Sequence, residues 1–210
     1  MQGDTIGIIT YVIILLASVV IHELAHGYTA EYFGDPTARY AGRLTINPLP
    51  HLEFFGSFLL PLVLLLSGTG FMIAWAKPVP VNPNNFYNIK RGTIWVSLAG
   101  VISNLLLAII FGLFIRILAT TGTLTVGVLA VASKIVILNI VLVIFNLIPL
   151  PPLDGSKVLF ALLPEKYAYI ESLLSKWGFF LLLLFIIFIG PKFFPPAIHF
   201  MTHIIVGSGI

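Results

Sequence analysis

The chain has 210 residues, room for one domain, of which 59% are apolar and only 9% charged. Soluble domains carry roughly 25% charged residues, and a 23.0 kDa chain has too much surface for its volume to hide this much hydrocarbon from water. The composition argues against a soluble enzyme, a nucleic-acid-binding module and a disordered linker, and predicts an integral membrane protein. The net charge of +3 comes from 11 Lys and Arg scattered singly or in pairs, as in loops that orient a membrane protein, and not from a basic patch for nucleic acid. With no Cys, a disulfide framework and thiolate metal ligands are excluded, so any metal must be held by His and carboxylates.

The first apolar run covers residues 6–21 and stays helical to about residue 33, where Gly34-Asp35-Pro36 supplies a stop. These roughly 28 residues suffice to span a bilayer of ~30 Å. The N-terminal residues lack the basic region of a cleaved signal peptide, so this segment is expected to be retained. Residues 43–47 alternate polar and apolar, predicting a short strand ended by Asn47-Pro48-Leu49-Pro50. Residues 54–66 are apolar but interrupted by Gly56 and Pro61, and residues 71–86 hold Pro78, Pro80 and Pro83, which predicts extended chain. Two further spans are predicted at 93–120 and 126–150, the second unwinding at Pro149-Leu150-Pro151-Pro152. A short amphipathic piece (156–163) and a fourth span (170–189) follow. Prolines at 191, 195 and 196 are expected to break that span and leave 197–206 at the membrane interface.

Chemistry concentrates near the inner end of the first span, at His22-Glu23-Leu24-Ala25-His26. Two His at i and i+4 share one helix face and can reach one metal ion, with Glu23 beside them as general base on water that the ion activates. With five His and five Glu in the chain, chance occurrence is on the order of one in several hundred. Ionisable groups in a bilayer cost several kcal/mol each, so three in five residues are hard to explain without a cation. The bland alternative is a cluster hydrogen-bonded to neighbouring helices.

A catalytic zinc keeps three protein ligands and one open position. The candidates for the third are Glu31, His51, Glu53 and Asp154. Asp154 is the best placed, because it follows a span carrying Asn139 and Asn146 and sits where prolines free the backbone. Its alternative reading is an N-cap of a helix beginning at Gly155, with Lys157 as counter-charge.

The segment His22 to His26, taken with Asn146-Leu-Ile-Pro149-Leu-Pro-Pro-Leu-Asp154-Gly155, resembles the two-part signature of the site-2 proteases, zinc metalloproteases that cut inside membranes. Ser97-Leu-Ala-Gly100-Val-Ile-Ser-Asn104 resembles the small-residue motif of their intervening helix. Arg43-Leu-Thr-Ile-Asn47-Pro-Leu-Pro-His51 and Trp75-Ala-Lys77-Pro78-Val-Pro-Val-Asn-Pro83 resemble a compact prokaryotic branch without PDZ or CBS domains. The likeness covers roughly residues 15–160. It departs from the family at Val101-Ile102, where a proline is more common, and at Glu53, where an Asp is common. The resemblance implies one zinc ion per chain held by His22, His26 and Asp154, with Glu23 catalytic. Asn146 would contact substrate backbone or the developing oxyanion. Trp75, Lys77 and Pro78 are the further substrate-binding candidates, on an extended stretch that offers an edge for strand addition. Ser97, Gly100, Asn104 and Ala108 form a small face for close packing, and Asn104 is also a candidate partner of a zinc-ligand histidine.

The two halves of the site must meet at one depth. His22 lies about 24 Å along a path of ~30 Å, so the span ending near residue 150 must run in the same direction as the first. One full span intervenes, and residues 54–66 are expected to re-enter rather than cross. With the N-terminus outside, Arg39, Arg43, Lys77, Lys90, Arg91, Lys157, Lys166 and Lys176 fall on the cytoplasmic side, against Arg116, Lys134 and Lys192 outside.

The expected fold is an all-α polytopic membrane protein: about four transmembrane helices, a re-entrant segment and short membrane-associated β-strands. Residues 1–210 form one domain, with a catalytic core at about 6–160 and C-terminal helices at 165–210. The expected activity is zinc-dependent endoproteolysis of transmembrane or signal-peptide segments of membrane proteins, in a prokaryotic plasma membrane, with the site nearer the cytoplasmic face and no nucleic-acid partner. The rivals are a metal-binding carrier, whose ligands should line a route through several spans, and a catalytically inactive substrate-binding relative, for which Glu23 has no obvious use.

Overall fold

The structure is a computed structural model, and it describes residues 2–53 and 76–207. The first helix, α1 (Gln2–Tyr32), ends where the glycine predicts. Gly34 has φ of 106°, Gly34 N–H donates to Glu31 O (3.0 Å) and Asp35 N–H to Ala30 O (2.9 Å). This paired closure satisfies the last carbonyls of the helix, and it needs a residue without Cβ at the turning point. A single helical turn, α2 (Thr37–Tyr40), follows.

The next long helix, α3 (Ile89–Thr120), starts at Asn88, whose side chain accepts from Arg91 N–H (2.9 Å). A short connection leads into α4 (Val126–Asn146), capped by Thr125. Contacts fix the directions. His22 and His26 of α1 meet Asn104 and Val96 of α3, so these two helices are antiparallel. Gly7 lies near Lys134 and Ser18 accepts from Asn139 Nδ2 (2.9 Å), so α1 and α4 run the same way. The chain thus unwinds after α4 at the end of the bundle where the histidines sit.

Helix α5 (Asp154–Leu162) starts two residues earlier than the amphipathic pattern predicts. Asp154 is its first residue and Leu153 its cap, without any side-chain capping bond. The N-cap reading of Asp154 is therefore set aside.

The C-terminal region corrects the sequence reading. Helix α6 (Ala168–Leu184) passes through a π-helical stretch, Phe185–Ile189, into α7 (Gly190–Val206), with no break at the prolines. Pro191 follows directly on this wider stretch, where Gly190 N–H reaches back to Phe185 O, and Pro195 and Pro196 lie within α7 itself. Helix α7 does not lie apart at an interface. Its Phe194, Ile198, Met201 and Ile205 pack on a core of Ala108, Ile115, Ala132, Val136 and Ile140 from α3 and α4. Arg116 clasps its end by donating to Val206 O (3.0 Å).

Among the described residues, four helical stretches are long and apolar enough to cross a membrane: Ile6–Tyr32, Ile89–Thr120, Val126–Asn146 and Tyr169–Val206. Ile6, Ile9 and Ile13 of α1 and Leu106, Ile110 and Leu113 of α3 are exposed, which suits a hydrocarbon surround.

The expected strands do not appear among the described residues. Residues 43–47 form no ladder, and 76–82 run without regular hydrogen bonding. Side chains meet the backbone groups a ladder would use: His51 Nε2 donates to Thr45 O (2.9 Å) and Arg43 Nη2 to Lys77 O (2.7 Å). The expected re-entrant segment (54–66), residues 71–75 of the expected extended stretch and Trp75 lie outside the described residues.

Candidate active site

One helical turn separates His22 from His26, and both rings point from α1 toward α3, set at 89° to each other. Their Nε2 atoms stand 2.9 Å apart. Asp154, 132 positions from His22 in sequence, brings Oδ2 to 3.2 Å from His22 Nε2 and 3.0 Å from His26 Nε2. All three residues are buried. Among the described residues these three form the cluster of ligand-type side chains close enough to share an ion. Glu31 instead pairs with Arg39, and His51 with Thr45 O.

The outer nitrogens settle which ring atoms face inward. His26 Nδ1 lies 2.6 Å from the Val96 carbonyl, which can only accept, so Nδ1 carries a proton and, in the neutral ring, Nε2 a lone pair. Asn104 Nδ2 lies 3.3 Å from His22 Nδ1, and Asn104 Oδ1, fully buried, has no partner. Exchanging the two ends of the amide gives the oxygen a protonated Nδ1 to accept from, which in the neutral ring again leaves Nε2 bare. With both rings neutral, two imidazole lone pairs and a carboxylate oxygen crowd together, an arrangement that repels itself unless a cation, a shared proton or a metal ion, sits between. Tetrahedral zinc with bonds of 2.0–2.1 Å would set its ligand atoms about 3.3 Å apart, close to the spacing found.

Gly100 of α3 closes the cluster. A Cβ there would stand 2.5 Å from His22 Cε1 and 2.6 Å from the Nε2 atoms of both His22 and His26. The small face predicted on this helix therefore does more than permit close helix packing: at Gly100 it leaves open the space in front of the ligand atoms. The donor set, its bare lone pairs and this open space all fit a zinc ion.

Glu23 turns to the flank, where its Oε2 accepts from Val79 N–H (2.7 Å). It lines a cavity of about 320 Å³ with His22, His26, Pro78, Asn146 and Asp154. Asn146 returns its amide nitrogen to Leu142 O of its own helix (3.0 Å). Asp154 Oδ1 receives Lys157 Nζ at 2.9 Å, so each carboxylate oxygen has its own task.

Lys77 enters the site region through its backbone. Its N–H donates to His51 O (2.9 Å) and its carbonyl accepts from Arg43. Within residues 77–82, Val79 N–H goes to Glu23 and Asn82 N–H to Asp35 Oδ2 (2.7 Å), while Pro78 and Pro80 have none to give. A chain laid along this stretch would therefore meet mostly acceptors, which narrows the expectation of strand addition. Sequence reasoning missed Val96 and Val79, since both act through backbone atoms that leave no mark in residue identity. It named Lys157 only as counter-charge to a cap.

A sequence profile of peptidase family M50 matches residues 112–185. Over 186 residues the chain is 39% identical to YwhC of Bacillus subtilis (strain 168), named as a candidate zinc metalloprotease, covering 86% of this chain and 80% of that protein. Over 197 residues it is 30% identical to Rip2 of Mycolicibacterium smegmatis, named in the same terms, covering 88% and 72%. A zinc metalloprotease of Methanocaldococcus jannaschii is 28% identical over 160 residues, which are 76% of this chain and 36% of that one. No solved structure matches. With two relatives aligned over most of both lengths, the chain belongs to peptidase family M50, the site-2 protease family of membrane metalloproteases.

Proposed function

We propose that the chain is a zinc-dependent endopeptidase that hydrolyses peptide bonds within transmembrane or signal-peptide segments of other membrane proteins. The observation that carries this reading is the meeting of His22, His26 and Asp154 around Gly100, with Glu23 on the same cavity wall. His22, His26 and Asp154 hold one zinc ion per chain. That ion supplies Lewis acidity, which polarises a scissile carbonyl and makes water a nucleophile near neutral pH.

Glu23 takes the proton of the attacking water on the carboxylate oxygen not engaged by Val79, then delivers it to the leaving amine. The Val96 carbonyl keeps the His26 imidazole in the tautomer with Nε2 free, and the Asn104 amide, with its oxygen turned to Nδ1, does the same for His22. Asn146, on the cavity wall, is the polar group for substrate backbone or for the oxygen that gains charge. A peptide bond inside a helix is shielded by its own hydrogen bonds, so the substrate must be held unwound. The wall at Pro78 to Val81 receives it through carbonyl acceptors, with Lys77 and Trp75 upstream. The charge asymmetry of the loops supports a plasma-membrane location with the site nearer the cytoplasmic face.

The test is cleavage of a membrane-embedded substrate by purified enzyme in liposomes, with zinc content measured in the same preparations. Glu23→Gln is expected to keep zinc and lose cleavage, and Asp154→Ala to lose both. A Glu23→Gln variant that still cuts would overturn the mechanism, and an Asp154→Ala variant with full zinc would overturn the ligand set.

A further inference from the structure

The contact between Glu23 and Val79 joins the helix that carries the histidines to the segment that walls the cavity, 56 positions away. A glutamate on a helix flank has three rotatable bonds, and nothing in the pattern from His22 to His26 fixes where its carboxylate points. Here a single backbone N–H fixes it, at 2.7 Å. Hydrogen bonds to a charged acceptor are the short, directional kind.

The donor is itself held. Pro78 and Pro80 flank Val79, so the neighbouring φ angles are locked and Val79, as a residue before proline, is confined to extended conformations. Upstream, Lys77 is tied through both backbone groups to His51 and Arg43. Downstream, Asn82 N–H and Asn85 Nδ2 bind the two oxygens of Asp35 (2.7 and 2.8 Å). The Val79 side chain is buried and rests near Gly27, the residue after His26, where a Cβ would stand 3.2 Å from Val79 Cγ1. The segment is thus registered against the same turn of α1 that bears the metal-ligand candidates.

We infer that the backbone N–H of Val79 is the positioning group for Glu23: it holds one carboxylate oxygen and thereby aims the other at the reaction centre. This deepens the proposed function and rests on Glu23 being its base. The stretch Pro78-Val79-Pro80 then has two faces of use, one toward substrate and one toward the base. Its prolines serve to orient one donor as much as to keep the chain extended.

The donor can be removed without removing the side chain. Replacing the Val79 amide by an ester, through incorporation of the matching hydroxy acid, deletes the N–H and keeps the side chain; Val79→Pro deletes the N–H genetically but changes the side chain as well, so Val79→Ala is its packing control. Both are expected to lower kcat about 10- to 100-fold, the usual cost of losing a supporting contact, with KM and zinc content near wild type. Val79→Ala keeps the donor but trims the packing on α1, and is expected to lower the thermal midpoint and cost far less in kcat. A readout independent of turnover is the carboxylate stretch isolated by subtracting the infrared spectrum of Glu23→Gln from wild type. It should shift in the ester variant.

If the contact merely ties the segment to α1, the ester and proline variants will raise KM or lose zinc while kcat holds, and the inference fails. It also fails if the carboxylate band does not move. Loss of cleavage in Glu23→Gln with kcat intact in the ester variant would sink this inference alone. Cleavage retained in Glu23→Gln would sink the base assignment beneath it. If Val79→Pro does not fold, the ester variant decides.

Discussion

Helix α3 carries two glycines twelve positions apart, Gly100 and Gly112, that look alike in sequence and have different surroundings. At Gly100 a Cβ would meet His22 and His26 ring atoms at 2.5–2.6 Å, in front of the ligand nitrogens. At Gly112 it would meet Ile205 Cγ2 at 2.3 Å and the Ile205 carbonyl oxygen at 3.1 Å, in the apolar core against α7. On the proposed ligand set, one glycine keeps a space for the metal, while the other lets two helices touch. A small residue in a membrane helix therefore acquires its meaning from what faces it, which helix periodicity alone cannot supply.

Two readouts separate the regions: zinc content and thermal midpoint. The largest effect is expected from Gly100→Ala, whose methyl group occupies the ligand space. Zinc affinity should fall about 100-fold and cleavage with it, while the midpoint compared in zinc-free protein should change little, because the methyl meets the ends of two side chains and Ala favours the helix. Gly112→Ala should do the reverse, losing about 1–2 kcal/mol of stability to overpacking, net of its helix gain, with zinc unchanged. If both glycines behave alike in both assays, the contrast between them is wrong.

The smallest effect concerns the frame around the cavity wall. Burial by itself would raise the Asp35 carboxyl, but hydrogen bonds from Thr37, Asn82 and Asn85 outweigh it and hold the group below its ordinary value. The stabilisation is fully present above the ordinary carboxylate range, near pH 4, and is lost as pH falls through the lower folded value. Wild-type thermal midpoints should thus fall more steeply below about pH 4 than those of Asp35→Asn. At neutral pH that variant should melt lower by about 1 kcal/mol and keep its zinc. Parallel pH curves for the two proteins would remove Asp35 from the frame.

The parts of this design visible in the sequence are those written in side chains. Two histidines one turn apart with a glutamate between them have few other uses in hydrocarbon, and Gly34-Asp35-Pro36 ends a helix by backbone geometry alone. The common direction of α1 and α4 followed from the need to bring Asp154 to the depth of His22. Backbone partners stayed hidden, since the Val96 carbonyl and the Val79 N–H could belong to any residue. The path through Pro191, Pro195 and Pro196 departs from the expectation for a related reason: the π-helical stretch at Phe185–Ile189, which adjoins Pro191, has no sequence signature comparable to proline's. The alternation at 43–47 predicts a short strand, but Arg43 and His51 reach the backbone groups of Lys77 and Thr45 instead.

The distance in sequence between His22 and Asp154 has a consequence for biosynthesis. A polypeptide emerging from the ribosome inserts its first helix long before the acid exists, and two imidazoles alone grip an ion weakly. On the proposed ligand set, proteolytic competence arrives only when the later helices have inserted and docked, so a half-made chain in the membrane is harmless to its neighbours and to itself.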